Sequence, residues 1–258
     1  MTVNLIQGDC IEEMQKLIEE EVTVDLILTD PPYGTTANKW DSVIPLDKMW
    51  GSLTKLIKPN GIIALFSSQP FTSVLISSNL DLYRYNWVWD KCGSTGFLNS
   101  NYAPLKSTED VCIFSKGTVG SLSENPIIYY PQGVKRVNKK KRNNPKSKWR
   151  ENMGYGGKNK LNTDTEYIQE YTNYPSNILK FKRDQPAVHP TQKPVGLLEY
   201  LIKTYTKEKE VVLDFTMGSG STGVACLQTG RDFIGIELDD KYYELANERC
   251  KSYQSKLI

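Results

Sequence analysis

No run of apolar residues in this 258-residue chain approaches the length of a membrane span, and the N-terminus shows no basic-then-apolar leader pattern. Cysteine is sparse: Cys10, Cys92, Cys112, Cys226 and Cys250 are odd in number and form no Cys-x-x-Cys pair. That spacing argues against a zinc site and against a disulfide framework, so no metal is expected and a reducing cytoplasm is the expected compartment. Histidine is scarcer still, with His189 alone. Acidic residues are missing altogether between Lys135 and Arg150, where nine Lys or Arg stand, an asymmetry that the net charge of +2 conceals. Hydrophobic content of 39% and charged content of 24% are ordinary for a soluble globular protein. The length allows one large domain, or one domain with an insertion.

What is present is organised around Asp30-Pro31-Pro32-Tyr33, which closes the apolar run from Val24 to Thr29. A short apolar run ended by two prolines reads as a buried strand that stops abruptly. Proline restrains itself and its predecessor, so the tetrapeptide is a stiff loop at a strand's C-terminal end, where open α/β sheets bind ligands. It offers a carboxylate, carbonyl oxygens outside any helix and an aromatic face. Those groups suit a planar substrate with an exocyclic amine, which donates to Asp30 and a carbonyl while Tyr33 stacks on the ring. The lone pair of such an amine is delocalised, and two acceptors aimed at its N–H bonds free it for bond formation. Turn chemistry alone would also explain these four residues.

Along the chain, Val3–Ile6, Gly61–Phe66, Tyr85–Lys91 and Val111–Phe114 read as further strands, and Ile11–Glu20, Leu46–Ile57 and Phe71–Ser77 as helices, with Lys58-Pro59-Asn60-Gly61 as a helix stop. The order β-α-β-α-β-α-β, then one more strand, is that of an α/β sheet. Asp9 stands where a helix N-cap belongs. The Trp87/Trp89 pair reads as core rather than as a stacking platform. The pattern breaks near Lys116. The basic tract (Lys135, Arg136, Lys139, Lys140, Lys141, Arg142, Lys146, Lys148 and Arg150) has no hydrophobic period and reads as a phosphate-binding segment, with neighbouring Asn side chains able to read base edges.

Regular structure resumes with a helix from Val195 to Thr206 and a strand from Val211 to Asp214. Gly218, Gly220 and Gly223 then follow G-x-G-x-x-G spacing between that strand and a helix, and Glu237 ends the next strand. In this context the glycines admit a ligand close to the backbone, and Glu237 can hold two ribose hydroxyls. Asp214 would be an awkward neighbour for a pyrophosphate, so S-adenosylmethionine, a sulfonium without phosphate, fits better than a nicotinamide dinucleotide.

Together these pieces resemble a DNA amino-methyltransferase of the beta arrangement, in the N6-adenine/N4-cytosine family. The resemblance spans residues 4–116 and 186–254. It rests on Gly8-Asp9-Cys10, Asp30-Pro31-Pro32-Tyr33, Lys58-Pro59-Asn60-Gly61, Trp89-Asp90-Lys91, His189-Pro190-Thr191-Gln192-Lys193-Pro194 and Asp214–Gly223. It implies an α/β fold, a doubly wound Rossmann-like methyltransferase sheet with an inserted basic target-recognition segment. Residues 1–116 would be the catalytic half, 117–185 the target-recognition insertion and 186–258 the cofactor-binding half.

By the same resemblance Asp30, Pro31, Pro32 and Tyr33 are catalytic, with Asp30 between target amine and S-adenosylmethionine. Asp9, with Cys10 beside it, would meet the cofactor adenine. His189, Lys193, Thr216, Ser219 and Ser221 would line its methionine end, with Asp214, Gly218 and Gly220 in the loop and Glu237 at the ribose. Thr216 stands where the family often has an aromatic residue, so Phe215 or another side chain is expected to cover the cofactor instead. His189 can equally be a loop residue before proline. Asp at the first position of the Asp-Pro-Pro-Tyr loop leans towards adenine N6 as target and Ser towards cytosine N4. Double-stranded DNA is the implied partner, and a homodimer and a cognate restriction enzyme are compatible with the resemblance. A non-catalytic nucleic-acid-binding subunit, and RNA or a protein amide as acceptor, are the weaker readings.

Overall fold

The computed structural model describes residues 1–34, 42–120, 122–142, 166–185 and 192–255. The chain divides into two compact units, one of residues 1–130 and 176–258, the other of residues 131–175. The expected insertion at 117–185 is wider than the second unit, because residues 117–130 and 176–185 belong to the first.

The larger unit is built on an eight-stranded sheet. Its strands are β1 (Val3–Gln7), β2 (Val24–Thr29), β3 (Ile57–Ser67), β4 (Tyr83–Thr95), β5 (Lys106–Phe114), β8 (Ile178–Lys180), β9 (Val211–Asp214) and β10 (Asp232–Glu237), in the order β1-β10-β9-β2-β3-β5-β4-β8. From β1 to β3 every neighbour is parallel, whereas β5 runs antiparallel to both β3 and β4. The β2-to-β3 crossover steps one way from the centre and the β9-to-β10 crossover steps the other. β2 and β9 therefore flank the switch point, where strand ends diverge and leave a crevice.

The helices α1 (Cys10–Glu19), α2 (Leu46–Leu56), α3 (Phe71–Ser77), α4 (Val195–Tyr205), α5 (Ser221–Thr229) and α6 (Asp240–Gln254) cover the sheet by halves. Met14, Leu17, Met49, Leu53, Phe71 and Leu75 from α1–α3 pack on one face against Ile27, Ile63 and Leu213. Leu198, Leu201, Ile202, Ala225 and Ala246 from α4–α6 pack on the other, against Leu26, Leu28 and Val212. Leu26, Ile27 and Leu28 of β2 alternate between the two faces, as a pleated strand demands. Each fully buried Leu or Ile contributes about 1.5–3 kcal/mol. Trp87 and Trp89 are core, their indole N–H groups donating to the Tyr205 hydroxyl and the Phe181 carbonyl. Among the described residues, no helix is long and apolar enough to cross a membrane.

Three local readings change. The helix before Lys58–Gly61 ends at Leu56, but β3 begins at Ile57 rather than at Gly61, with Lys58–Gly61 as an irregularity between the Val24–Ile57 and Leu26–Ile62 pairs. A Cβ on Gly61 would come within 2.8 Å of the Asp25 carbonyl oxygen, so a side chain there would push β3 off its neighbour. The short edge strand β8, parallel to β4, carries too few residues to show a period. The basic tract also contains a strand, β6 (Lys135–Arg142), paired antiparallel with β7 (Glu166–Thr172) in the smaller unit.

Gly220 shows how closely the glycine bend packs. Its φ is +75°, and an added Cβ would lie 2.8 Å from the Ala246 Cβ on α6. Gly220→Ala is expected to lower stability by about 1–3 kcal/mol, the usual cost of overpacking, before any effect on ligands. An unchanged urea midpoint for that variant would contradict this packing.

Candidate active site

The parallel strands bring their C-terminal ends to one edge of the sheet. Gly8 and Asp9 follow β1, Glu237 ends β10, Asp214 ends β9 and Asp30 follows β2, and all of them line one cavity of about 940 Å³. The Asp-Pro-Pro-Tyr loop and the glycine bend, 184 residues apart in sequence when counted from Asp30 to Asp214, thus meet in the crevice between β2 and β9. A direct contact joins them: the Thr216 hydroxyl donates to the Asp30 carbonyl oxygen at 3.1 Å.

Beneath that contact lies a buried carboxylate. Asp214 accepts from the hydroxyls of Thr29 (2.5 Å) and Thr222 (2.6 Å) and from the Thr216 N–H (3.2 Å). Burial pushes its pKa up to about 6, against the pull of those three donors. Asp214 therefore serves as a structural bracket that ties β2, the bend and α5 together.

The Asp30 carboxylate is held on both sides. One oxygen accepts from the Tyr33 hydroxyl, and the other lies 2.5 Å from the Lys193 ammonium. Tyr33 stacks on Phe71, with ring centroids 5.2 Å apart and planes 24° apart. Burial, and then the Asp30 charge, raise the Tyr33 phenol well above its ordinary pKa, so it stays a donor. Lys193 also pairs with Glu109 at 3.3 Å and lies 5.0 Å over the Phe66 ring. Burial alone would lower its pKa, but Asp30 and Glu109 outweigh burial and raise it. Glu109 in turn faces Lys91 at 3.3 Å and Arg183 at 3.7 Å. Burial pushes Glu109 up, and the two lysines more than reverse this.

Towards the other end of the cavity, Glu237 accepts from the Gly218 N–H (2.8 Å) on one oxygen and the Asp239 N–H (2.9 Å) on the other. Each oxygen keeps a lone pair for a further donor. Gly218 has a φ of +51°, and a Cβ there would meet nothing within 4 Å. Asp9 does cap α1, accepting from the Ile11 and Glu12 N–H groups through one oxygen, and it borders the cavity as well. Burial, reinforced by Asp9, lifts the Cys10 thiol to about 12, so Cys10 is a neutral wall. Arg249 on α6 reaches the Ser219 hydroxyl at 3.0 Å and the Ser221 hydroxyl at 3.3 Å.

Several expected residues stand apart from this arrangement. Gly220 does not line the cavity, because it faces Ala246. Phe215 borders it but is buried in the core with Leu213 and Ile236, so it is a wall rather than a cover. His189 and the basic residues Lys146, Lys148 and Arg150 lie outside the described residues. Lys135, Arg136, Lys139, Lys140, Lys141 and Arg142 all fall on β6, with alternate side chains on opposite faces. Glu109, Arg183, Thr29 and Arg249 carry no motif, and the sequence reading passes over them.

The donor set fits S-adenosylmethionine. Among the described lining residues carboxylates outnumber cations seven to three, a balance that suits a sulfonium and repels a pyrophosphate. The pH response of Asp214 is open to test. Its raised pKa makes the folded state bind a proton more readily than the unfolded one, so its burial penalty is present above pH 6 and relieved as pH falls towards 4. Between pH 7 and pH 5 wild type should gain about 1 kcal/mol relative to Asp214→Asn in urea unfolding. Parallel pH curves for the two proteins would contradict the shift.

A family model described as DNA methylase matches residues 24–248. The type II methyltransferase M.HpaI of Haemophilus parainfluenzae is 28% identical over 98% of this chain and 75% of its own length. The DNA adenine methyltransferase YhdJ of Escherichia coli K12 is 26% identical over 95% of this chain and 81% of its own. Two solved structures share the fold. A complex of M1.HpyAVI with SAM has a TM-score of 0.62 at 24% identity, over 96% of this chain and all of that one. The cytosine-N4-specific PvuII DNA methyltransferase has a TM-score of 0.64 at 15% identity, over 99% of this chain and 92% of that one.

Proposed function

The chain belongs to the N6/N4 DNA methylase family, and on that premise we propose that it methylates DNA at N6 of an adenine turned out of the duplex. The observation that carries the reading is the Thr216–Asp30 contact, which sets the glycine bend and the Asp-Pro-Pro-Tyr loop on one cavity. A stacked, paired amine cannot reach such a cavity, so the base must leave the helix. S-adenosylmethionine supplies, when bound, an electrophilic methyl group. Asp9, Gly218, Ser219, Ser221 and Glu237 are the residues that would hold it.

Asp30 and the Pro31 carbonyl act as acceptors for the target amine, and Tyr33 orients both the base and Asp30. Because Lys193 occupies one Asp30 oxygen, the arriving amine takes that position as Lys193 turns to Glu109, its second partner. No covalent enzyme intermediate is needed: the residues position and polarise. Adenine is favoured by the Asp at the first position of the loop and by the likeness to an adenine methyltransferase. The exposed two-stranded ribbon with six cations on β6 supports DNA binding, since such a ribbon fits the major groove. The likeness to type II methyltransferases supports a modification role beside a restriction enzyme, and a homodimer remains part of the proposal.

Asp30→Ala should lower methyl transfer at least about 100-fold, the scale of losing a preorganised polar group, while S-adenosylmethionine affinity measured by calorimetry stays within a few-fold. Retained transfer would remove Asp30 from the mechanism. Digestion of DNA from cells expressing the protein should yield N6-methyladenine by mass spectrometry, and sequencing with modified-base detection should place it in one sequence context. N4-methylcytosine in its place would move the target base to cytosine.

A further inference from the structure

β4 and β5 carry Trp89 and Glu109 into the cavity wall, then continue past it as a hairpin. The last paired residues are Thr95 and Lys106, joined also by a 3.2 Å bond from the Thr95 hydroxyl to the Lys106 carbonyl. Lys106 stands three residues from Glu109, so the hairpin end begins about 10 Å beyond the site at ordinary strand rise. Gly96, with φ of +91°, turns the chain into a single 3-10 turn, Phe97–Asn99. On this turn and just after it, Phe97, Leu98 and Tyr102 are 79%, 97% and 91% exposed. Exposed large apolar groups grouped in this way mark a contact surface. Between Asp90 and Glu109 the sequence has no acidic residue, while it has Lys106 and the amides Asn99 and Asn101.

We propose that this hairpin end is a wedge that enters the base stack of duplex DNA beside the target and fills the space the flipped base leaves. The proposal rests on the DNA-methylating function above. An apolar tip without acids, continuous with the walls that receive the base, matches the interior of a base stack edged by phosphates. Phe and Leu are the side chains that DNA-kinking proteins insert between base steps. The wedge offsets part of the lost stacking, so its contribution should be large when the target base is paired and small when it is already unpaired.

The test uses duplexes carrying the methylation site mapped in cells, either fully paired or mispaired at the target base. The triple variant Phe97→Ser/Leu98→Ser/Tyr102→Ser alters only exposed side chains. On the paired duplex its kcat/KM should fall at least about tenfold, and on the mispaired duplex by less than about threefold. Cofactor affinity and the urea midpoint should be unchanged. With 2-aminopurine next to the target, wild type should raise the fluorescence and the variant should not. An equal loss on both duplexes, or no loss on either, overturns the wedge while leaving the methylating function intact. Wild type that methylates neither duplex overturns the function, and the wedge falls with it.

Discussion

Asp214 holds the two halves of the active site together. It is a buried carboxylate whose partners come from β2, from the glycine bend and from α5, through Thr29, Thr216 and Thr222. Burying such a group is costly, and three donors offset part of that cost. The arrangement is rigid because removing any donor leaves the carboxylate short of a partner. Asp30 is fixed in turn, since the hydroxyl of Thr216 also reaches its carbonyl. Residues far apart in sequence thus meet with little freedom, as a transfer reaction run by positioning requires.

The sheet explains why the bracket lies there. The α1–α3 helices cover one face and α4–α6 the other, so the two windings part between β2 and β9. The loops leaving these strands cannot pack across the gap with helices, and polar groups fill it instead. The basic ribbon of β6 and β7 is a separate unit with little core of its own, and every β6 residue but Val137 is exposed. Its cations are therefore solvated and available to a polyanion.

The main outline was legible in the sequence where local chemistry left a mark. The two prolines after β2 stop the strand at Asp30, and the glycines after β9 announce a tight bend between strand and helix. Glu237 could be picked out because it ends a short apolar strand. Other parts left no mark. Glu109 lies in a strand whose alternation hides a carboxylate that lines the cavity and pairs with Lys193, and Thr29 looks like any strand residue, yet its hydroxyl donates to Asp214. The β6 strand escaped notice because charge on both faces gives no period of two. Lys58–Gly61 has the composition of a turn, and it forms the irregularity of β3 that lies between the Val24–Ile57 and Leu26–Ile62 pairs. Gly220 satisfied a ligand-binding pattern, while its constraint comes from Ala246 behind the bend.

The clasp on Asp30 bears on what the site refuses. Tyr33 and Lys193 already satisfy this carboxylate, so Asp30 is not a bare anion for a passing amine or small cation. A free nucleoside has only its own ring and sugar with which to displace the ammonium. A polymer brings in addition the attraction of many phosphates, and that remote binding energy can open the clasp. On the proposed mechanism, discrimination against monomers is thus built into the ion pair itself, before any base is read.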